Sequence, residues 1–410
     1  MSDPRLPAIP DIHGHAKGEH KPFAEERPIP YSARLIFLWF YHAASRRSPR
    51  FVMVSDHVNY LTFEDPAAVS LVRRALKLAL AGDLYGAAET ASVDMQHARV
   101  VSEAMRAGMR FSIGAEVDND PRSRPDAQNV VDAMKPDGVI RSVHFLPIEH
   151  PVTGDPWMWP FDNPEFSDVF GKIGVEETWE RYTDLMVETI NTLPGDILGH
   201  LHVPGKFGHW PEEQRLEAHE DRILEACARR GMGIEINTRV FYRSSDPSVH
   251  ARHLDIYRRL LRKCLEHELP IAIGSDAHSP KDQGGGIANI LPLLDEADIN
   301  EIVFPINGVL ARVALRADRP IKSRPSVVIQ PARQTILTEQ EAEEAAAAAA
   351  AAGPEPEPEP EAPPAPPPPP VVEAKEPKPA APKKASSAPK KTPAKKAAPK
   401  KATKAPPVSE

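Results

Sequence analysis

The chain has 410 residues and a formal net charge of −8 at pH 7, and 19 of its 46 prolines lie in residues 339–410. Eleven lysines balance eleven glutamates in that segment, so the remaining body is acidic, which argues against a duplex-binding surface there. Only two cysteines occur, Cys227 and Cys264, which excludes a disulfide framework and a cysteine-based zinc knuckle.

Short apolar runs alternate with longer segments of helical periodicity. The predicted strands are Leu6–Ile12, Phe51–Ser55, Phe111–Ala115, Gly138–Val143, Asp196–Leu198, Gly233–Ile236, Pro270–Ile273 and Glu301–Phe304. The predicted helices are Ser32–Arg46, Ala67–Ala81, Ala88–Ala107, Val175–Thr192, Glu212–Arg230, Val249–His267 and Ile287–Ala297. Alternating strands and helices indicate βα units around a parallel sheet. Seven or eight such units favour a closed barrel over an open doubly wound sheet.

One long connection, Pro147–Lys172, is rich in aromatic residues and proline. Long connections in compact domains are usually lids or binding loops. Two interpretations follow: a lid or substrate wall, or a packed surface loop whose Trp157, Trp159 and Phe161 cover the edge of the barrel.

The C-terminal part has a composition that cannot bury a core. We predict a folded domain over residues 1–330, a disordered acidic Ala/Pro/Glu-rich linker over 331–373 and a disordered Lys/Pro/Ala-rich basic tail over 374–410. The lysine pairs predict a weak nucleic-acid site through counterion release. The alternative is a solvated tail that folds back on its acidic half, and the segment lacks the interleaved aromatics typical of single-strand binding.

The N-terminus has no apolar core of a signal peptide. The longest strongly apolar stretch, Leu35–Tyr41, is shorter than the roughly 18 residues that a membrane span needs. We therefore expect a soluble, cytoplasmic protein without a membrane partner. The sequence leaves its oligomeric state open.

Histidine and acidic residues follow six of the predicted strands. They are Asp11, His13 and His15 in DIHGH, His57 in SDH, Glu116 in GAEVD, His144 in SVHFL, His200 and His202 in GHLH, and Asp276 and His278 in SDAH. Residues two apart at a strand end share a face. Each residue taken singly could be a hydrogen-bonded polar group of the core. Together they would be costly to bury unless a metal compensated.

The donor types predict which ions would bind. Imidazole and carboxylate ligands suit zinc, manganese or iron, and a carboxylate such as Glu116 can bridge two cations. We therefore predict a cluster of two or three divalent ions, with Asp11 orienting the imidazoles from the second shell. Such ions lower the pKa of a bridging water and produce hydroxide, which attacks a phosphoryl group without a protein nucleophile.

These residues, in this order, resemble the polymerase-and-histidinol-phosphatase (PHP) superfamily, from about Pro10 to Gly286. The stretches SVHFLP, DILGHLHVPGKFG, GIEINTR and IAIGSDAHSP resemble its histidinol-phosphate phosphatase branch. The resemblance implies an α/β fold, a distorted (β/α)7 PHP-type barrel, with three metal ions. It assigns the first ion to His13, His15, Glu116 and Asp276, the second to Glu116, His144 and His200, and the third to His20, His57 and His278.

The chain departs from that branch at two places. His202 stands where the branch usually has Asp, and we interpret it as a ligand, a proton donor or a residue without a role. The loop after GIEINT carries Arg239 and Arg243, which could hold a phosphate bidentately. Lys206 could add a point charge, and all three cations could instead be solvated surface residues.

The leading hypothesis is a metal-dependent phosphomonoesterase that hydrolyses a small phosphorylated metabolite, with L-histidinol phosphate, an intermediate of histidine biosynthesis, as the best candidate. In it Asp276, His202 or a metal-bound water protonates the leaving alcohol. One alternative is a PHP phosphoesterase that acts on nucleotides or nucleic-acid ends, with the basic tail as a tether. The other is a non-catalytic scaffold with a partner-binding tail.

Overall fold

The structure, a computed structural model, describes residues 9–18, 30–46, 49–60, 63, 65–119 and 127–316. Its helices are α1 (Ala33–Arg46), α2 (Ala68–Ala81), α3 (Leu84–Ala91), α4 (Met95–Arg106), α5 (Ala127–Met134), α6 (Phe170–Ile173), α7 (Val175–Thr192), α8 (Glu213–Arg230), α9 (Val240–Arg243), α10 (Pro247–Glu266) and α11 (Leu291–Glu296). Its strands are β1 (Pro10–Asp11), β2 (Phe51–Val54), β3 (Arg110–Ile113), β4 (Ala115–Val117), β5 (Val139–Arg141), β6 (Phe145–Glu149), β7 (Pro156–Pro160), β8 (Ile197–Leu198), β9 (Gly233–Asn237), β10 (Ile271–Gly274), β11 (Glu301–Ile306) and β12 (Val309–Ala314). The predicted mixed α/β architecture with parallel sheets is confirmed.

Eight parallel strands form two sheets. One has the order β1-β2-β3 and the other β4-β5-β8-β9-β10, and every neighbouring pair in both sheets is parallel. The Glu116 amide in β4 donates to the carbonyl of Asp56, just beyond β2 (3.0 Å), and the Ile12 amide, just beyond β1, donates to the carbonyl of Ile273 in β10 (3.0 Å). Backbone hydrogen bonds therefore join the two sheets at both of their edges, and the carboxyl ends of all these strands point the same way.

Amphipathic helices cover the outside of the second sheet. Helix α10 begins where the Asp246 carboxylate accepts the Ser248 amide at 2.8 Å, with Pro247 in the first turn. Helix α8 ends at Gly231, whose φ of 66° is left-handed. The apolar faces of α7, α8 and α10 share one buried cluster with β8, β9 and β10. Burial of these faces, at about 25 cal/mol per Å² of apolar surface, holds the strand ends in place.

Two of the predicted elements are wrong in their details. The segment 88–107 is not one helix, because Ser92 has a left-handed φ of 54° that ends α3, and Asp94 begins α4 with a capping box. The predicted strand at 301–304 is not a parallel βα unit, since β11 pairs antiparallel with β12. Helix α5 was not predicted.

The long connection 147–172 contains structure of its own. Strand β7 pairs antiparallel with β6, and α6 follows after a 3-10 turn at 164–169. The side chains of Trp159 and Phe161 are fully buried in the same cluster as α7, while Trp157 is partly buried against it. The aromatic residues therefore pack as core, as the second interpretation predicted.

Some predictions fall outside the described residues. They are the first three residues of the predicted strand Leu6–Ile12, the ligand His20, the linker at 331–373 and the tail at 374–410. Within the described part of the chain, no helix has both the length and the apolar character needed to cross a membrane.

Candidate metal centre

The predicted ligands lie at the carboxyl ends of six parallel strands or within one of them. His13 and His15 follow β1, His57 follows β2, Glu116 lies in β4, His144 follows β5, His200 follows β8, and Asp276 and His278 follow β10. Because parallel strands present their carboxyl ends at one edge, residues far apart in sequence converge there.

Glu116 is the centre of this group and has no solvent exposure. Its Oε2 lies 3.2 Å from His13 Nε2 and 2.9 Å from His57 Nδ1. Its Oε1 lies 3.0 Å from His200 Nε2 and 3.5 Å from His144 Nε2. His15 Nε2 also lies 3.5 Å from Oε2. One carboxylate thus faces five imidazoles from four strands, which is the arrangement that a bridging ligand requires.

A second group forms around His15, which is fully buried. His15 Nε2 lies 3.2 Å from Asp276 Oδ1, and its ring centroid lies 4.5 Å from that of His57 and 4.2 Å from that of His278. Asp276 has a left-handed φ of 52°, a strained conformation for a residue other than glycine. That backbone turn places Asp276 and His278 beside the rings of the first two strands.

The charges in this group are strongly coupled. Burial raises the pKa of Glu116, but the imidazoles of His57 and His13 outweigh it and hold that pKa well below its usual range. Burial likewise raises the pKa of Asp276, and Arg239 and His13 lower it well below its usual range. Burial, with His278 and His57 nearby, lowers the pKa of His15 well below its usual range. The acids are therefore ionised and His15 is neutral, the forms that bind a cation.

Two carboxylates that the sequence reasoning missed orient the rings. Glu235 Oε1 lies 2.7 Å from His13 Nδ1, and its other oxygen accepts the His200 amide at 2.8 Å. Asp118 Oδ2 lies 2.7 Å from His144 Nδ1. A carboxylate on one ring nitrogen leaves the other nitrogen as the ligand atom. The sequence did contain a signal for each of them. Glu235 is a charged residue in the apolar run GIEIN, and Asp118 is an acid two residues after Glu116.

Asp11 has a different role from the predicted contact with imidazole. Its carboxylate accepts the Ser275 amide at 2.8 Å, the Ser275 hydroxyl at 2.6 Å and the Gly284 amide at 2.7 Å. It therefore ties β1 to the turn that carries Asp276. Gly274 permits the close approach of the strands there, since a Cβ at this position would lie 2.6 Å from the Cβ of His13.

A cavity of about 960 Å³ opens above the ligands and is lined by His57, His144, His200, Asp276 and His278. The predicted phosphate-binding residues Lys206, Arg239 and Arg243 also line it. Arg239 Nη1 donates to the Asp276 carbonyl at 2.6 Å and lies 3.0 Å from Asp276 Oδ1, so it also braces that turn. Lys206 Nζ donates to the carbonyl of Asp162 at 2.9 Å.

The segment 160–165, which follows β7, forms one wall of the cavity. The long connection thus contributes to the wall of the cavity, while its tryptophans pack inside.

His202 lines the cavity but does not join the ligand group. Its Nε2 lies 2.9 Å from Oε1 of Glu220, a fully buried residue of α8. All the predicted metal-ligating residues that the structure describes therefore lie together. His202 lies outside this group and pairs with Glu220 instead.

The donor set fits divalent cations. Three subsets have ligand atoms within 4.8 Å of one another: His13, His15 and Glu116; His57, Glu116 and His144; and His15, His57 and His278. Among the described residues, neither ring nitrogen of the buried His15 has a hydrogen bond of ordinary geometry, and the same holds for His200 Nδ1. Burying an imidazole nitrogen without a hydrogen bond costs free energy. A metal ion bound to that nitrogen would remove the cost.

Comparison with known proteins finds similar sequences and structures. Residues 41–239 match the model of the PHP domain. The chain is 25% identical to a probable histidinol-phosphatase of Deinococcus radiodurans over 206 residues, 50% of this chain and 72% of the relative. It is 26% identical to a histidinol-phosphatase of Lactococcus lactis over 203 residues, 47% of this chain and 67% of the relative.

A crystal structure of the L. lactis histidinol phosphate phosphatase with zinc, L-histidinol and phosphate aligns with 74% of this chain and 99% of its own, at 16% identity and a TM-score of 0.49. The family model covers Glu116, His144 and His200, while His13, His15, Asp276 and His278 lie outside the matched residues. Residues 41–239 of this chain are thus similar to the PHP domain.

Proposed function

We propose that this protein is a metal-dependent phosphomonoesterase that hydrolyses a small phosphorylated metabolite, with L-histidinol phosphate as the first candidate. A PHP domain with histidinol-phosphatase relatives indicates a phosphoric monoester hydrolase. The observation that carries the proposal is the convergence of five imidazoles on the buried carboxylate of Glu116, within 2.9–3.5 Å.

We also propose that the two sheets form one distorted seven-stranded barrel, in which β3 and β4, separated only by Gly114, count as one strand. The backbone hydrogen bonds from Ile12 to Ile273 and from Glu116 to Asp56 support closure on both sides. In a barrel, catalytic groups gather at the carboxyl ends of the strands, which is where the ligands lie.

His13, His15, Glu116 and Asp276 would hold one ion, and Glu116, His144 and His200 a second. His57 and His278 would hold a third, together with His20, which lies outside the described residues. Divalent ions bound there supply an activated water and neutralise charge on the phosphoryl oxygens. Zinc, manganese and iron all suit these nitrogen and oxygen donors.

The chain's own residues then position the substrate. Arg243 and Lys206 line the cavity and would attract a phosphate dianion, while Arg239 holds Asp276 in place. The wall at 160–165 would contact the leaving group, and a concave cavity of about 960 Å³ has the size of a small-molecule site. Asp276 and His202 are the side chains proposed for transfer of a proton to the leaving alcohol.

The test is a screen of phosphorylated metabolites with the purified full chain and added Mn²⁺, Zn²⁺ or Fe²⁺. We expect metal-dependent release of phosphate, with L-histidinol phosphate among the best substrates. Absence of metal-dependent turnover of every phosphomonoester would overturn the proposal and favour the scaffold hypothesis.

A further inference from the structure

Three buried side chains, linked by hydrogen bonds, join helix α1 to strand β1. Trp39 in α1 donates its indole N–H to Gln283 Oε1, and Gln283 Nε2 donates to Asp11 Oδ2. The exposed fractions of Trp39, Gln283 and Asp11 are 3%, 8% and 0%. Among the described residues, Trp39 and Gln283 lie outside the set that lines the cavity, so any effect of theirs on the site is indirect.

The two partners of Gln283 fix the orientation of its amide. An indole N–H only donates, so the amide oxygen must face Trp39, and the amide NH₂ group therefore faces the carboxylate of Asp11. Both polar ends of a buried amide are thus hydrogen-bonded, and turning the amide over would place two donors together at Trp39. Gln283 is therefore held in one orientation, with its donor on Asp11.

Asp11 connects these side chains to the turn that carries Asp276. Its carboxylate also accepts the amide and the hydroxyl of Ser275, at 2.8 and 2.6 Å, and the amide of Gly284 at 2.7 Å. Ser275 directly precedes Asp276, whose left-handed φ of 52° persists only where the surrounding structure holds it. Gln283 therefore lies one hydrogen bond away from the carboxylate that holds the strained turn.

The pair of Trp39 and Gln283 also packs against the backbone between two predicted metal ligands. Gly14 separates His13 from His15, and a Cβ at Gly14 would lie 2.9 Å from Gln283 Oε1 and 3.2 Å from the Trp39 ring. The absence of a side chain at Gly14 is what leaves room for the pair. The pair therefore lies beside the ligands that follow β1 and acts, through Asp11, on the ligands that follow β10.

We propose that Gln283, held by Trp39, is a positioning residue that keeps Asp11 and the turn at 275–278 in the geometry that binds divalent ions. It acts on the ions that this turn helps to hold. The ion assigned to the ligands of β4, β5 and β8 does not depend on it. This inference rests on the metal centre of the proposed function and adds the outer residues that assemble one side of it.

Binding of Mn²⁺ to the full chain, measured by equilibrium dialysis and metal analysis, tests this role. Gln283→Met keeps the length of the side chain but removes its donor and its acceptor. We expect the Kd of the ions at the 275–278 turn to rise about tenfold or more, as is typical when an outer partner of a metal ligand is lost. The ion between β4, β5 and β8 should keep its wild-type Kd. Trp39→Phe removes one donor and should give a smaller rise. Because Trp39 acts through Gln283, adding Trp39→Phe to Gln283→Met should raise the Kd no further.

Electron paramagnetic resonance gives a signature that a general loss of stability would not produce. Mn²⁺ ions that share the Glu116 carboxylate are magnetically coupled, whereas a single Mn²⁺ ion is not. At a Mn²⁺ concentration that fills the wild type, Gln283→Met should show the spectrum of a single bound ion and the circular dichroism of a folded chain. A coupled spectrum like that of the wild type, or a parallel loss of every ion, would overturn the inference.

Ser102→Ala is the matched control. Ser102 is fully buried, and its hydroxyl donates to the Ala79 carbonyl at 2.6 Å, which joins α4 to α2. This variant also loses a buried hydrogen bond, but it should keep the wild-type Kd values and spectrum. Wild-type Mn²⁺ binding in Gln283→Met, or an equal loss of binding in Ser102→Ala, would overturn the inference and leave the proposed function intact. Where Gln283→Met does not fold, Trp39→Phe decides by the same criteria. A wild type that binds no divalent ion would instead overturn the proposed function, and this role with it.

Discussion

Replacing Glu235 by glutamine tests whether the missed carboxylate prepares His13 for metal. In the wild type one oxygen of Glu235 faces His13 Nδ1 at 2.7 Å and the other accepts the His200 amide at 2.8 Å. Glutamine keeps one oxygen, so one of these two buried donors loses its acceptor. A buried donor without an acceptor costs about 1–3 kcal/mol, and loss of such an outer partner typically weakens metal binding by about 10- to 100-fold.

The assay is phosphatase activity of wild type and Glu235→Gln as a function of free Mn²⁺, with apparent metal affinity as the readout. We expect the Mn²⁺ concentration that gives half-maximal activity, the midpoint of this curve, to rise about 10- to 100-fold. At saturating Mn²⁺, kcat should partly recover. The exposed Glu149 supplies a control, since Glu149→Gln should leave the midpoint unchanged. A wild-type midpoint in Glu235→Gln would refute the role of Glu235 in orienting His13.

Three other predictions concern the cavity, the buried carboxylate of Glu220 and the C-terminal tail. Arg243→Ala should raise KM more than it lowers kcat, as expected of uniform binding; an unchanged KM would transfer the phosphate role to Arg239 or Lys206. Burial raises the pKa of Glu220, but Arg259 and His202 outweigh it and lower that pKa to about 2 against 4.5. The lowered pKa adds roughly 3 kcal/mol of stability above pH 4.5 that is lost as the pH falls towards 2. The free energy of unfolding, measured with a chemical denaturant at pH 6 and pH 3, should therefore fall less on acidification in Glu220→Gln than in the wild type. An equal fall in both proteins would contradict this prediction. Deletion of residues 374–410 should leave the rate on small esters unchanged, and a loss of activity on DNA would favour the polymer-substrate alternative.

The alternation of apolar runs and amphipathic helices predicted most of the parallel strands, because buried strands and helices have different periodicities. The pattern could not show where the helical periodicity of 88–107 breaks, since Ser92 and Asp94 interrupt it without proline or glycine. Nor could it show that β11 turns back on β12, because an isolated apolar run does not reveal the direction of its partner.

The positions of the site residues were predictable from one regularity, the recurrence of His, Asp or Glu directly after apolar runs. The rule that parallel strands end at one edge brings such residues together. It selects the residues just beyond strands and therefore missed Glu235, which lies within β9. The partnership of His202 with Glu220 joins a loop to a helix by tertiary packing, and no local pattern encodes it.

The metal content of the purified chain, compared with that of Glu116→Ala, tests the central claim most directly. We predict two or three divalent ions per wild-type chain. Glu116→Ala should lose at least one ion and all phosphatase turnover, while its circular dichroism spectrum stays close to that of the wild type. A wild type that binds no divalent ion, or a Glu116→Ala variant with full metal content and activity, would contradict the account.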